Sequence, residues 1–466
     1  MKILLACELY FPSIGGVQVV MRQLAERFAQ RGHEVTVVTT KLKNRDFSTL
    51  NGVNIVEFDI MGNLANGMRG EIDAYQQFVK QFPCDVLLIK AAQQWTFDAL
   101  WPALDDIHAK KVFIPCGFAA LYELHYQHYY REIPNILKKF DHLIFYSDNY
   151  RDINFARQHQ LTNYSVIPNG ADENEFNHAR DADFRKRHGI AEDSFIFLTV
   201  GSLTGTKGHL EVSSAFARLK SGKRPVTLIL NGNNPFEHMP PVINNNVTST
   251  TIEKLPKPAL FKRLIRKIKK GMQIYHQYGL MAVIRRTLEI IPHKLYFLRM
   301  YADKTCLYYQ KLRMPLSISL SACIKRIETQ PEKQVLQLNL PREELIQAYM
   351  NADLFVFASN IEYSPLVLFE TAAAGTPFLS VPVGNAQEIA AWTNAGFICE
   401  ANINQQGYVY VKPKKFAKRM QELMKDKTML RSKGKSAKHH WQEKFTWHTI
   451  SLQYEQLFQT LITHKI

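Results

Sequence analysis

No stretch of this 466-residue chain carries the roughly 18 uninterrupted apolar residues that a membrane-crossing helix requires. Its opening, MKILLAC, runs straight into a strand-like segment without a basic leader ahead of an apolar core, so no secretory signal is expected. Six cysteines, Cys7, Cys84, Cys116, Cys306, Cys323 and Cys399, are scattered with no CxxC pair and no metal-ligand spacing. They read as reduced cytosolic thiols, and no metal site is expected. A GxxxxGK[ST] phosphate loop is missing too, because TGTKG around Lys207 has the wrong spacing. Acidic side chains are in deficit: 42 Asp and Glu face 58 Lys and Arg, a net charge of +16.

That excess is uneven. Residues 253 to 333 hold 18 Lys and Arg against 5 Asp and Glu, or +13, which leaves +3 elsewhere and assigns the basic pI to one segment. No nucleic-acid motif accompanies it, so nucleic acid is not an expected partner. Hydrophobic residues make up 46% of the chain, enough for a core and too many for intrinsic disorder. At about 150 residues per domain, the length allows two or three domains.

What is present is alternation of strand-like and helix-like signals. KILLAC (2 to 7), a helix from about Gly16 to Arg31, HEVTVVTT (33 to 40), VNIVEF (53 to 58), DVLLIKA (85 to 91), KKVFIPC (110 to 116) and HLIFYS (142 to 147) predict a doubly wound α/β domain over 1–172. The alternation restarts with FIFLTVG (195 to 201), a helix from about Gly208 to Lys220, VTLILNG (226 to 232), VLQLN (335 to 339), LFVFAS (354 to 359) and TPFLSVPV (376 to 383). This predicts a second α/β domain over 173–440, interrupted by an insertion at about 240–333. A closing helical segment, 441–466, is expected to cross back to the first domain.

Ligands of such sheets bind at the carboxyl ends of strands, where glycine-bearing loops enter helices. SIGG (13 to 16), GSLTGTKG (201 to 208) and EYSPLVLFE (362 to 370) all sit at such ends. In the last, Ser364 is a good N-cap and Pro365 fits the first helical position, leaving the amides of Leu366 and Val367 free for a phosphate or a sugar hydroxyl. Glu370 falls within a helix apolar on nearly every face, where a carboxylate needs a partner. That partner is either a core Arg or Lys or a ribose; Glu362 is set against sugar hydroxyls or a similar ion pair. Lys207 can reach a diphosphate oxygen or be solvated, and Gly15 with Gly16 can admit a phosphate or merely form a tight turn. Asp181 and Asp183 read as a solvated turn. His439 and His440, being adjacent, make a poor metal pair.

Two such domains, the loops at Gly15–Gly16 and Lys207, Glu-x7-Glu before TAAAGTPFLS, VIPNGAD near the junction, Gly384 with Gln387 and Glu388, and the closing FTWHTISLQYEQLF together resemble the retaining glycosyltransferases of family 4, of GT-B fold. The resemblance covers nearly all of the chain except the insertion. It implies that Gly15 and Gly16 approach a donor diphosphate and that Lys207 binds it. Glu362 holds the donor sugar, Ser364, Pro365, Leu366 and Val367 cradle the sugar diphosphate, and Glu370 takes the ribose. The implied reaction moves a hexose-type sugar from a UDP-sugar or GDP-sugar to an acceptor hydroxyl, with retention and no required metal or other cofactor. Lys207 and Glu362 are the implied catalytic groups. Two positions depart from the pattern: Ser202 stands where an arginine usually accompanies the lysine, and Cys116 stands where many members have histidine.

Within the insertion, residues 254–270 carry eight Lys and Arg and no acid, with Leu260, Phe261, Leu264, Ile265 and Ile268 at helical spacing. A basic amphipathic helix there, with the tyrosines and phenylalanine between 296 and 309, points to an anionic membrane surface and a peripheral place on the cytoplasmic face of the plasma membrane. The rival is an apolar stripe packed on the second domain. With a lipid-linked or polysaccharide acceptor, the expected role is cell-envelope glycan assembly. The alternatives are a non-catalytic sugar-nucleotide-binding or membrane scaffold protein and a sugar-nucleotide epimerase.

Overall fold

The computed structural model describes residues 1–233 and 316–463. Its first sheet is built from β1 (Lys2–Ala6), β2 (Glu34–Thr40), β3 (Thr49–Leu50) and β4 (Val53–Phe58), then, after a hairpin of β5 (Ile60–Asn63) and β6 (Gly67–Gly70), from β7 (Val86–Lys90), β8 (Lys110–Ile114), β9 (His142–Phe145) and β10 (Tyr164–Val166). The strand order is β10-β9-β8-β7-β1-β2-β4-β3, with every pair parallel except β3 with β4. The chain winds one way from β1 to β2 and the other way from β7 onward, so the switch point lies between β1 and β7. β7, with all five residues buried, is a central strand covered on both faces.

The second sheet comprises β11 (Phe195–Val200), β12 (Val226–Asn231), β13 (Lys333–Leu338), β14 (Leu354–Phe357), β15 (Phe378–Ser380) and β16 (Gly396–Ile398). Its order is β13-β12-β11-β14-β15-β16, wholly parallel, with the switch point between β11 and β14. The two α/β halves belong to one compact unit.

Apolar faces explain the closure. One face of the first sheet, with Ile3, Leu5, Val35 and Val37, packs with helix Gly16–Gln30 and with Trp447, Ile450, Tyr454 and Phe458 of the last helix, Trp447–Thr463. Each such side chain contributes about 1.5–3 kcal/mol when fully buried. Arg31 Nε donates to Glu455 Oε2 at 2.5 Å, tying the same two helices. A parallel bridge joins Ala171 to Thr446, so the chain returns to the first half beside its exit from it.

Several sequence expectations shift. The strand expected at 335 to 339 starts at Lys333, inside the range given to the insertion, and is preceded by a helix, Leu316–Glu328. Residues 254–270 and the aromatic residues from 296 to 309 lie outside the described residues. Among the described residues, no helix is long and apolar enough to cross a membrane.

Candidate active site

Two loops meet at the switch point of the second sheet. The loop after β11 ends at Gly208, whose φ of 78° lies in the left-handed region, and a Cβ there would sit 2.2 Å from the Ala358 carbonyl oxygen. Only glycine lets this loop lie so close to the end of β14. Asn360 N donates to Thr206 O at 2.8 Å, and Ser359 Oγ donates to the same oxygen at 3.1 Å. Lys207 is thereby carried over to Glu362, and its Nζ donates to Oε1 at 2.6 Å. Ser359 Oγ donates to that oxygen as well, at 2.9 Å. The carboxylate side chain is 13% exposed and the ammonium side chain 32%, so the pair is open on the lysine side. Ser202 lies half-buried in the same loop, its carbonyl accepting from Thr204 N at 2.8 Å.

The helix after β14 runs from Leu366 to Ala374. It starts one residue later than the sequence predicts: Pro365 is its extended cap residue, and no side chain caps it. Ser364 does not act as the cap. Its carbonyl accepts from Asn169 Nδ2 of the first half at 3.1 Å, and its hydroxyl is buried without a hydrogen-bond partner among the described residues. Asn169 Oδ1 is buried and unpaired in the same sense. With the first-turn amides of Leu366 and Val367 lacking intrahelical acceptors, this end gathers unsatisfied polar groups. A ligand with donors and acceptors of its own would satisfy them.

Glu370 does meet a protein cation. Arg342 Nη2 stands 2.6 Å from Glu370 Oε1 and grips Glu175 through Nε at 3.0 Å and Nη2 at 2.5 Å. Burial lowers the Arg342 pKa, but the Glu370 and Glu175 carboxylates outweigh it and hold the guanidinium charged. Of the two partners left open for Glu370, an arginine is therefore present, at the surface rather than in the core. Its 41% exposed side chain leaves Arg342 within reach of a ligand as well. Sequence reading missed this residue, although Pro341 and the acidic turn Glu343–Glu344 mark the start of its helix, Arg342–Asn351.

A second omission is Tyr363. Its hydroxyl accepts from Tyr146 N at 2.9 Å and is hydrogen-bonded to the buried Asp152, while its ring packs against Tyr146 and Tyr150 with centroids 5.5 and 4.8 Å away. A Cβ on Gly117 would come 2.9 Å from that ring, and one on Gly384 would come 2.2 Å from the Tyr363 carbonyl oxygen. Tyr363 thus joins the loop after β14 to the ends of β8 and β9. Asn385 Nδ2 donates to Tyr146 O at 2.8 Å, and Asp148 N donates to Glu388 Oε1 at 3.1 Å, reinforcing the junction.

Cys116 lies just past β8 with φ of 62°, beside Lys90 and Asp152. Burial raises its thiol pKa, so it stays protonated and does none of the work of an imidazole. Lys90, the last residue of β7, is buried against Tyr146: its ammonium donates to the phenol and lies 4.3 Å from the ring centroid. Gly15 is the cap of helix Gly16–Gln30, with extended backbone. A side chain on Gly16 would meet nothing within 4 Å, and one on Gly15 only the Gln18 side chain, so the protein's own packing does not demand either glycine. Val17 and Leu366 both pack on the hydrophobic cluster of the first sheet. Asp181, set aside as a turn residue, pairs with Arg187 at 2.6 Å.

Comparison with known proteins decides the family. The model for "Glycosyltransferase Family 4" matches residues 14–175, and that for "Glycosyl transferases group 1" matches residues 326–440. The chain belongs to the family 4 glycosyltransferases. Its GT-B fold is shared by sucrose-phosphate synthase from Thermosynechococcus elongatus, at 16% identity over 99% of this chain and 98% of that one, with a TM-score of 0.63. HepE from Anabaena, solved with UDP and glucose, is 16% identical over 99% of this chain and 100% of its own, with a TM-score of 0.63. WaaG, a glycosyltransferase involved in lipopolysaccharide biosynthesis, is 15% identical over 99% and 100%, with a TM-score of 0.58. No curated protein sequence matches the chain. For this family 4 glycosyltransferase, the loops at Lys207 and Glu362 lie at the switch point where an open α/β sheet binds ligands.

Proposed function

We propose that the protein transfers a hexose-type sugar, with retention, from a UDP-sugar or GDP-sugar to a lipid-linked or polysaccharide acceptor in cell-envelope glycan assembly. The observation that carries this reading is the Lys207–Glu362 pair, 2.6 Å apart, beside an uncapped helix start with buried unpaired polar groups. HepE was solved with UDP-glucose, which supports the choice of donor class.

In the reaction, the donor diphosphate takes the Lys207 ammonium and the free amides of Leu366 and Val367. Glu362 then turns from the ammonium to the sugar hydroxyls. Breaking the anomeric C–O bond leaves negative charge on the diphosphate, where Lys207 and the helix start stabilise it electrostatically. Arg342 supplies the second cation that Ser202 does not. No metal or other cofactor is required by this scheme. Gly15 and Gly16 let the first half approach the same diphosphate, and the leaving phosphate takes the acceptor proton. Glu370 holds the ribose with Arg342 beside it.

Attachment to the anionic cytoplasmic face of the membrane, through residues 254–270, belongs to the same proposal. The test is calorimetry with UDP and GDP, followed by product analysis with the bound nucleotide's sugars. One nucleoside diphosphate should bind and its affinity should drop in Lys207→Ala. Absence of binding by both would sink the reading, whereas binding without turnover on any acceptor would favour a sugar-nucleotide sensor. Flotation with phosphatidylglycerol vesicles tests the membrane arm: replacing the eight basic residues of 254–270 with Gln should weaken flotation, and unchanged flotation would remove that arm alone.

A further inference from the structure

Away from the donor-side loops, helix Pro413–Met424 packs along helix His209–Phe216, and a hollow of about 470 Å³ opens between the start of the first and the far end of the second. Six of its eight lining residues are cationic, Arg218, Lys220, Lys412, Lys414, Lys415 and Lys418, and the other two are Ala and Gln. We propose that this hollow is an anion site, separate from the donor site, for a ligand carrying two or more clustered phosphate groups.

Charge is the first argument. Lys415 is held by Glu400 at 2.5 Å, and Glu400 is itself 88% exposed. Among the described residues, no carboxylate lies within ion-pair distance of the other five cations. Like charges gathered around one concavity repel, and an incoming anion relieves that repulsion. The sequence conceals this because the +3 left outside 253–333 is a small total. Residues 412–444 alone hold twelve Lys and Arg against three Asp and Glu, a second basic segment that corrects the assignment of the excess to one.

Helix polarity is the second argument. The helix at Pro413 has no acid in its first turn and no side-chain cap, and Lys412, Lys414, Lys415 and Lys418 surround that end. Cations are the unfavourable sign at a helix N-terminus, whereas an anion there meets free amides and ammonium groups at once. Size is the third: the volume falls within the range of small-ligand pockets and exceeds what one phosphate fills. Position sets it apart from Lys207, since helix His209–Phe216 begins at the Lys207 loop and Arg218 and Lys220 follow its opposite end. Such phosphates come either from a soluble polyphosphate or from phospholipid headgroups.

The experiment uses the full chain, with tripolyphosphate in calorimetry and phosphatidylglycerol vesicles in sedimentation. The wild type should show a tripolyphosphate site that survives Lys207→Ala and weakens by at least roughly tenfold in the triple variant K414Q/K415Q/K418Q, whose lost contacts are charge-assisted. These exposed side chains leave the fold intact, which circular dichroism checks. Loss of tripolyphosphate with vesicle binding unchanged identifies a soluble ligand. Loss of vesicle binding with tripolyphosphate unchanged identifies lipid headgroups. A folded triple variant that binds both probes like the wild type overturns the proposal. Failure of the donor-site reading would show separately, as nucleotide binding indifferent to Lys207→Ala.

Discussion

Glu362 and Glu370 occupy equivalent-looking places in one motif, yet their partners differ in what their removal leaves behind. Without Glu370, Arg342 loses that ion pair but keeps both bonds to Glu175, and the proposed ribose contact is lost with it. Glu370→Ala should therefore weaken nucleoside diphosphate binding by roughly ten- to a hundredfold, the worth of one charge-assisted hydrogen bond. Without Glu362, Lys207 loses its carboxylate and stays free for phosphate, so Glu362→Ala should leave nucleotide affinity intact or tighter while turnover falls. Calorimetry and kcat on both variants separate the roles; full activity and affinity in both would show that the site lies elsewhere. The two carboxylates were legible because charge in an apolar run stands out. Arg342 was not, since its bond to Glu370 spans two helices and no local pattern announces it.

At the scale of elements, apolar β-branched runs such as VNIVEF and VTLILNG announced strands whose observed bounds agree to within a residue or two. The hairpin Ile60–Asn63 with Gly67–Gly70 escaped because its glycines and half-exposed side chains carry no alternation. The Lys207 loop was legible as a loop, but its close approach to β14 follows from tertiary contact. Gly208→Ala tests that contact. Holding alanine in the left-handed region costs about 1–2 kcal/mol, and the Cβ at 2.2 Å from the Ala358 oxygen forces the loop away in addition. We expect a total above about 2 kcal/mol in urea unfolding, with nucleotide binding impaired because Lys207 moves. Gly222→Ala, with φ of 65° and nothing within 4 Å of the new Cβ, is the control and should pay only the backbone term. Equal losses in the two variants would mean that the loop has no such pinning contact.

Over the whole molecule, buried ionisable groups make stability depend on pH in a direction opposite to ordinary acid denaturation. Burial raises Asp152, which accepts from Gly117 N at 2.8 Å, from 3.8 to about 6. Burial likewise raises Asp98, which accepts from Tyr129 Oη at 2.7 Å, from 3.8 to about 6. Between pH 4 and 6 the folded chain therefore binds more protons at these sites than the unfolded chain. Their contribution is full below the unfolded value and is lost as pH rises through the folded one, by about 3 kcal/mol for each two-unit shift. Burial lowers Lys90 from 10.5 to about 8, so it releases its proton at lower pH in the folded chain than in the unfolded one, and stability returns as pH climbs from about 8 toward 10.5. These three groups place a minimum between about pH 6 and 8. Paired carboxylates such as Glu400 and Glu344 work in the opposite sense, because their pKa values are lowered and their stabilisation fades in acid. The difference between wild type and Asp152→Asn cancels that background, since an amide oxygen still accepts from Gly117 N but does not titrate. Urea midpoints measured from pH 4 to 7 should fall less steeply for Asp152→Asn than for wild type. Parallel curves would show that Asp152 is ionised at its ordinary pKa.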